Sequence, residues 1–200
     1  MWLKRAFDLC FSALALLLFL PLLVLLGVWI KADSSGPVFF RQTRVGRLGQ
    51  PFDILKLRTM RVDSADSQGP QLTVGADPRI TRAGKFLRHY KLDELPQFLN
   101  VLLGDMSVVG PRPEVPRYVD KYPPDVRRIV MSVRPGITDL ASVEFRDEST
   151  LLAASDDPER TYVEVVLPRK LRIAVDYVQR RTLRLDLAII WRTIAALVMR

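Results

Sequence analysis

Asp93 and Glu94 form an adjacent acid pair within Arg82–Glu114, with basic residues before them and a rigid Pro111-Arg112-Pro113 turn after them. Successive residues on a helix point about 100° apart, so the two carboxylates could serve different roles at one centre. A carboxylate with an ordinary pKa near 3.9 is ionised at neutral pH. It can attack phosphorus once a cation screens the repulsion, or offer oxygen to a hard metal ion. Lys56, Arg58, Arg79, Arg82, Arg88, Arg112 and Arg134 supply cations along the same stretch of chain, and arginine suits bidentate phosphate recognition. A solvated helix face laced with ion pairs would read similarly, and the acid pair alone leaves both readings open.

Several other chemistries lack their residues. His89 is the lone histidine, so no histidine-based triad can form, and no Gly-x-x-x-x-Gly-Lys-Ser/Thr phosphate loop is present. The glycines at 46 and 49 are too closely spaced for a dinucleotide fingerprint. The single Cys10 excludes an internal disulfide and a cysteine-based zinc site, so any bound metal must use oxygen ligands. The formal net charge of +8 suits a nucleic acid, an anionic lipid surface or a phosphorylated substrate, and does not choose among them.

The 200 residues suit one domain plus an anchor. Leu9–Ile30 is almost continuously apolar and long enough to cross a bilayer, with Lys4 and Arg5 before it and Lys31 after it. No small-residue cleavage site follows, which argues against a removed signal peptide. Pro21 sits mid-run, removes a backbone donor and favours a kink. Hydropathy by itself fits a spanning helix, whereas basic charge on both flanks fits a re-entrant helix-break-helix.

Beyond the anchor, Asp33-Ser-Ser-Gly-Pro37 reads as a turn. Val38–Gln42 and Pro51–Leu57 read as two short strands around the Gly46–Gly49 turn. Arg61–Asp77 reads as a loop that could act as a lid. Thr81–Leu103 reads as helix interrupted at Pro96, which puts the acid pair at a helix junction where free backbone donors can meet phosphate. Pro116–Val133 reads as an amphipathic helix and Ser132–Val143 as turn-rich. Tyr162–Arg200 is helical, with Leu183, Leu187, Ile190, Trp191, Ile194 and Leu197 on one side. That face fits core packing and a membrane interface equally.

Five blocks resemble, in order and spacing, those of the bacterial sugar transferase family, the small monotopic polyprenyl-phosphate phosphoglycosyl transferases. They are Gly36-Pro-Val-Phe-Phe-Arg-Gln-Thr-Arg-Val-Gly46, Phe52-Asp-Ile-Leu-Lys-Leu-Arg-Thr-Met60, Asp77-Pro-Arg-Ile-Thr-Arg-Ala-Gly84, the Arg82–Glu114 core and Arg134-Pro-Gly-Ile-Thr138. The resemblance covers nearly the whole chain. Three positions depart from the pattern of many members: Leu20 replaces a serine before the anchor proline, Asp139 a glycine and Ser142 a glutamine.

The resemblance implies an α/β, mostly helical fold: a re-entrant anchor over residues 1–32 with its break at Pro21, a short β-hairpin, and a compact catalytic domain over 33–200 with amphipathic interface helices. It implies transfer of a sugar-1-phosphate from a UDP-sugar to polyprenyl (undecaprenyl) phosphate, releasing UMP, as the first membrane step of glycoconjugate synthesis such as exopolysaccharide. In that scheme Asp93 is the nucleophile and Glu94 its partner, the pair holds Mg2+, and Lys56, Arg58, Arg88, Pro111, Arg112, Pro113 and Arg134 bind substrate. The expected setting is the cytoplasmic face of the bacterial inner membrane, with the lipid bilayer and no nucleic acid as partner. Monomer and homodimer both stay open. Larger relatives carry further membrane helices and a domain before the catalytic unit, so a short form is expected here. The competing reading is a membrane-tethered basic adaptor that binds nucleic acid or acidic lipid without catalysis.

Overall fold

A computed structural model describes residues 2–62, 72, 75, 77–145 and 148–199. The fold is α/β and mostly helical. Helix α1 spans Trp2–Asp33 with Pro21 inside it, and among the described residues it alone is long and apolar enough to cross a membrane. The break expected at Pro21 is corrected: helical structure runs through the proline without interruption. Pro21 removes one hydrogen bond, whereas leaving the helix would orphan many backbone groups among apolar neighbours. One stripe of α1, formed by Asp8, Ser12, Ala15, Leu26 and Ile30, is buried against the rest of the protein. Leu14, Leu17, Leu18, Leu25 and Val28 stand exposed on the remaining surface. An exposed apolar helix of this length associates with a membrane.

Both ends of α1 are tied to the same body. Near the start, Asp8 accepts hydrogen bonds from Ser107 Oγ at 2.8 Å and from Val108 N–H at 3.1 Å, and Lys4 pairs with Asp186 at 2.7 Å. At the far end, Leu26 and Ile30 pack with Leu57, Ala83 and Leu87, and Asp33 Oδ2 accepts the Ala83 N–H at 3.0 Å.

Strands β1 (Phe39–Val45) and β2 (Pro51–Leu57) form the expected hairpin, with Phe39 opposite Leu57 and Val45 opposite Pro51. Its turn takes left-handed backbone at Leu48 and Gly49. The Asn100 side chain bonds Leu55 N–H and Asp53 O, both at 2.9 Å, so the outer edge of β2 is satisfied by the helix beside it. The loop expected over Arg61–Asp77 lies largely outside the described residues.

Helix α2 (Arg82–His89) starts at Thr81, whose hydroxyl accepts the Gly84 N–H at 2.9 Å. It ends at His89, and after the left-handed Lys91 (φ 56°) a single 3-10 turn, Leu92–Glu94, follows. Pro96 then opens α3 (Gln97–Leu103). The acid pair therefore sits at a helix junction, but the break falls before it at Lys91, because Leu95 keeps right-handed helical backbone ahead of Pro96.

Strand β3 (Ser107–Val109) pairs in parallel with β4 (Gly136–Thr138), a contact that the turn-rich reading of Ser132–Val143 did not anticipate. Three-residue strands containing glycine carry almost no period-2 signal. The single helix expected over Pro116–Val133 is two, α4 (Pro116–Val119) and α5 (Pro124–Val130), divided before Pro123. After α6 (Leu140–Glu144), α7 (Glu148–Ala153), α8 (Pro158–Thr161) and a π turn at Tyr162–Val166, the C-terminal tract forms α9 (Leu167–Arg180) and α10 (Leu183–Val198). Thr182 caps α10. Of α10's apolar side chains, Ile189 is buried in the core while Leu187, Trp191 and Ile194 are exposed, so the helix serves core and surface together.

Gly84 makes the tightest approach among the described glycines: a Cβ there would lie 2.0 Å from Thr59 O. Gly84→Ala must push α2 off the end of β2, and is expected to cost about 3 kcal/mol. A melting curve in detergent checks it; an unchanged midpoint would show that the contact gives way freely.

Candidate active site

Two segments distant in sequence converge on Glu94. Lys56 from β2 donates to Glu94 Oε1 at 2.9 Å. Arg112, from the loop after β3, donates to the same oxygen through Nη2 and lies 3.4 Å from Oε2 through Nη1. The arginine is fixed in turn, because its backbone N–H donates to Asp139 Oδ2 at 3.1 Å. Asp139 Oδ1 also accepts the Ser142 N–H, capping α6, so the aspartate at this departure from the family pattern joins α6 to the arginine loop.

The acids differ in state. Burial works to raise the Glu94 carboxyl, but Arg112, Lys56 and Lys91 outweigh it and hold Glu94 well below the ordinary carboxylate range. Asp93 is raised: burial is the largest cause, Lys56 opposes it, and the Glu94 charge next door adds to it. Asp93 Oδ1 is buried with no hydrogen-bond partner among the described residues. A buried carboxylate oxygen without a protein partner is costly.

Both acids line a cavity of about 540 Å³. Its cations include Arg44, Lys56, Lys85, Arg88, Lys91, Arg112 and Lys170. Arg88 donates to Thr59 Oγ1 at 2.9 Å, and burial lowers its pKa against the attraction of Asp93. Burial likewise lowers Lys91, partly offset by Glu94. A second polar group lies along the wall, where Tyr162 donates to Glu114 Oε1 at 2.6 Å and Arg44 stands 3.6 Å from Glu114 Oε2. Lys170 sits over the Tyr162 ring at 5.1 Å from its centroid.

Of the residues singled out from the sequence, the structure gathers Asp93, Glu94, Lys56, Arg88 and Arg112 around this cavity. It places four elsewhere. Arg58 is buried and donates to the carbonyls of Ser34 and Ser35, closing the turn after α1. Arg134 donates through Nε to Gly104 O at 2.7 Å, at the end of α3. Pro111 and Pro113 shape the backbone that carries Arg112 and line a small cleft behind it. Arg44, Lys91, Glu114, Tyr162 and Lys170 were not singled out. Arg44 and Glu114 stood inside the quoted blocks, whereas nothing in the spacing of Tyr162 or Lys170 marks them.

No group of three or more metal-ligating side chains occurs among the described residues. Glu94 spends its oxygens on Lys56 and Arg112, which leaves Asp93 Oδ1 as the open donor. That fits Mg2+, which keeps water and substrate phosphates as most of its ligands and needs one or two carboxylates.

The family model described as bacterial sugar transferase matches residues 1–200. This chain belongs to the bacterial sugar transferase family. It is 43% identical to the UDP-glucose:undecaprenyl-phosphate glucose-1-phosphate transferase of Caulobacter vibrioides, across 97% of this chain and 69% of the relative. It is 41% identical to the exopolysaccharide production protein PSS of Rhizobium leguminosarum bv. phaseoli, across 97% of this chain and 94% of the relative. It is 37% identical to the UDP-N-acetylgalactosamine-undecaprenyl-phosphate N-acetylgalactosaminephosphotransferase of Aeromonas hydrophila, where it covers 96% of itself but 43% of the relative. The chain thus spans nearly all of one bacterial sugar transferase and less than half of another.

The depressed Glu94 carboxyl stabilises the fold above the ordinary carboxylate pKa near 4.3, and that contribution is lost only as pH falls through the lower folded value. Arg112→Met removes the stronger cation, so the loss should begin at higher pH and stability near neutrality should drop by about 3 kcal/mol. Urea midpoints measured from acid to neutral pH check this; parallel curves for the two proteins would contradict it.

Proposed function

We propose that this protein transfers a sugar-1-phosphate from a UDP-sugar to polyprenyl phosphate through a covalent intermediate on Asp93. The observation that carries the reading is that Asp93, which lines a cation-rich cavity beside a saturated Glu94, has a buried Oδ1 with no partner among the described residues. The relatives' names support the donor and acceptor classes. Asp93 attacks the sugar-bearing phosphorus, and the P–O bond to UMP breaks with its electron pair leaving on UMP. An oxygen of the lipid phosphate then attacks the same phosphorus and frees the aspartate. Mg2+, held by Asp93 and the diphosphate, would neutralise charge on the leaving phosphate.

The roles of the surrounding residues follow from their charges. Lys56 lowers the cost of ionising Asp93, and Arg112 keeps Glu94 anionic. Glu94 fixes both cations in place. Arg88 and Lys91 add positive charge where a diphosphate brings at least two negative ones. A basic adaptor without catalysis gives the open Asp93 oxygen no task.

The seating of α1 supports a monotopic anchor with both ends on one face. Lys4 and Asp8 at one end and Asp33 at the other bond to a single polar body, which a helix crossing the bilayer could not do. The setting proposed is the cytoplasmic face of the bacterial inner membrane, where UDP-sugars are made.

Purified protein with Mg2+, polyprenyl phosphate and a panel of UDP-sugars is expected to release UMP, with Asp93→Asn abolishing release. Full activity in that variant removes Asp93 as the nucleophile. Cysteines introduced near Lys4 and Lys31 should both react with an impermeant thiol reagent from the cytoplasmic side only; labelling from opposite sides would replace the monotopic anchor by a spanning one.

A further inference from the structure

A second cleft of about 270 Å³ shares no lining residue with the acid-pair cavity. It is bounded by the amino end of α1, by Arg47 in the hairpin turn, by β3 and by the corner between α9 and α10. Four guanidinium groups line it: Arg5, Arg47, Arg134 and Arg181. The acids on its wall are already satisfied. Asp8 is bonded to Ser107 and Val108, and Asp186 to Lys4 and Tyr177.

The cations are not satisfied to the same degree. Arg5 donates to Val101 O and Leu102 O, and Arg134 donates through Nε to Gly104 O, so these two cap the end of α3. Arg47 and Arg181 make no side-chain hydrogen bond or ion pair among the described residues, and Arg47 Nε is buried without a partner. Burial lowers the Arg134 pKa, and Arg5 and Arg47 lower it further, with Asp8 pulling the other way. The cleft thus holds uncompensated positive charge around a buried donor, an arrangement that an anion would stabilise.

The surroundings say what kind of anion. Leu3, Val109, Val133 and Leu183 give the cleft apolar walls. Trp2 and Leu3 are exposed beside it at the polar end of the apolar helix α1, where a membrane's headgroups would lie. The 16-residue helix α10 begins at the same place and turns its positive end toward it. We propose that this cleft binds the phosphate of an anionic phospholipid headgroup, with Arg47 and Arg181 as its principal donors. The bound lipid is not a substrate, because the cleft is separate from Asp93.

The test uses the full chain in neutral detergent, titrated with short-chain phosphatidylglycerol and followed by melting temperature and native mass spectrometry. Short-chain phosphatidylcholine, glycerol phosphate and inorganic phosphate are run in parallel. Phosphatidylglycerol should bind at one saturable site and raise the melting temperature, and Arg47→Ala with Arg181→Ala should weaken it roughly tenfold. UMP release in detergent and the lipid-free melting temperature should stay unchanged, so failure here is distinct from failure of the transferase reading. The double substitution Arg127→Ala with Arg128→Ala on α5 removes equal charge away from the cleft and should leave binding intact. If the double variant at the cleft melts early, Arg181→Ala alone carries the test. The proposal is overturned if the cleft variant binds as wild type, if the α5 variant weakens equally, or if phosphatidylcholine binds as well. Inorganic phosphate binding as tightly as phosphatidylglycerol assigns the cleft to free anions and overturns the lipid assignment.

Discussion

The ionised Glu94 carboxylate, shared by Lys56 and Arg112, is the constraint around which the rest is arranged. Glu94 is too buried to stay charged alone, so it holds its place only while both cations reach it. Lys56 depends on the register of the hairpin, because a one-residue slip of β2 would turn it to the opposite face. Arg112 depends on β3 pairing with β4 and on Asp139 bonding its backbone. The charge state of one glutamate thus requires two small sheets and two loops to be in place at once. Asp93, one residue away, is drawn toward its ionised form by Lys56 as well, although burial outweighs it.

Several features were legible in the chain itself. The apolar run of α1 and the hairpin follow from local rules, hydropathy and alternation, whereas the junction at the acid pair was expected from Pro96 and is made instead by the left-handed Lys91. The positions of Lys56, Arg88 and Arg112 around Asp93 and Glu94 were also anticipated, through their motif blocks. What escaped were contacts between distant segments. Asp8 looks like a stray charge at the edge of an apolar helix until Ser107 and Val108 are placed beside it. Arg58 and Arg134 show why charge type is a poor guide to role, since a guanidinium serves a carbonyl as readily as a phosphate and sequence does not say which is near. Pro21 failed as a predicted break because the cost of one lost hydrogen bond is small against that of unwinding in apolar surroundings.

Tyr162 and Glu114 illustrate the same limit from another side. Tyr162 lies in a π turn before α9 and reaches a glutamate that follows the proline-arginine-proline loop. Neither spacing nor composition connects them. Their hydrogen bond nonetheless joins the C-terminal helices to the cavity wall, and burial and then the Glu114 charge keep the tyrosine protonated.

The buried stripe of α1 has a consequence for how the protein can be handled. Leu26 and Ile30 complete the packing around Leu57, Ala83 and Leu87, and Asp33 satisfies the first turn of α2, the helix that leads directly into the acid pair. The anchor is therefore part of the enzyme's interior as well as its mooring. Cutting it away would open a hydrophobic wound beside the active site, and an extraction medium that competes for its apolar surface acts on the fold itself. Bilayer and core are one solvent system for this chain, and the lipid around α1 belongs in any account of its stability.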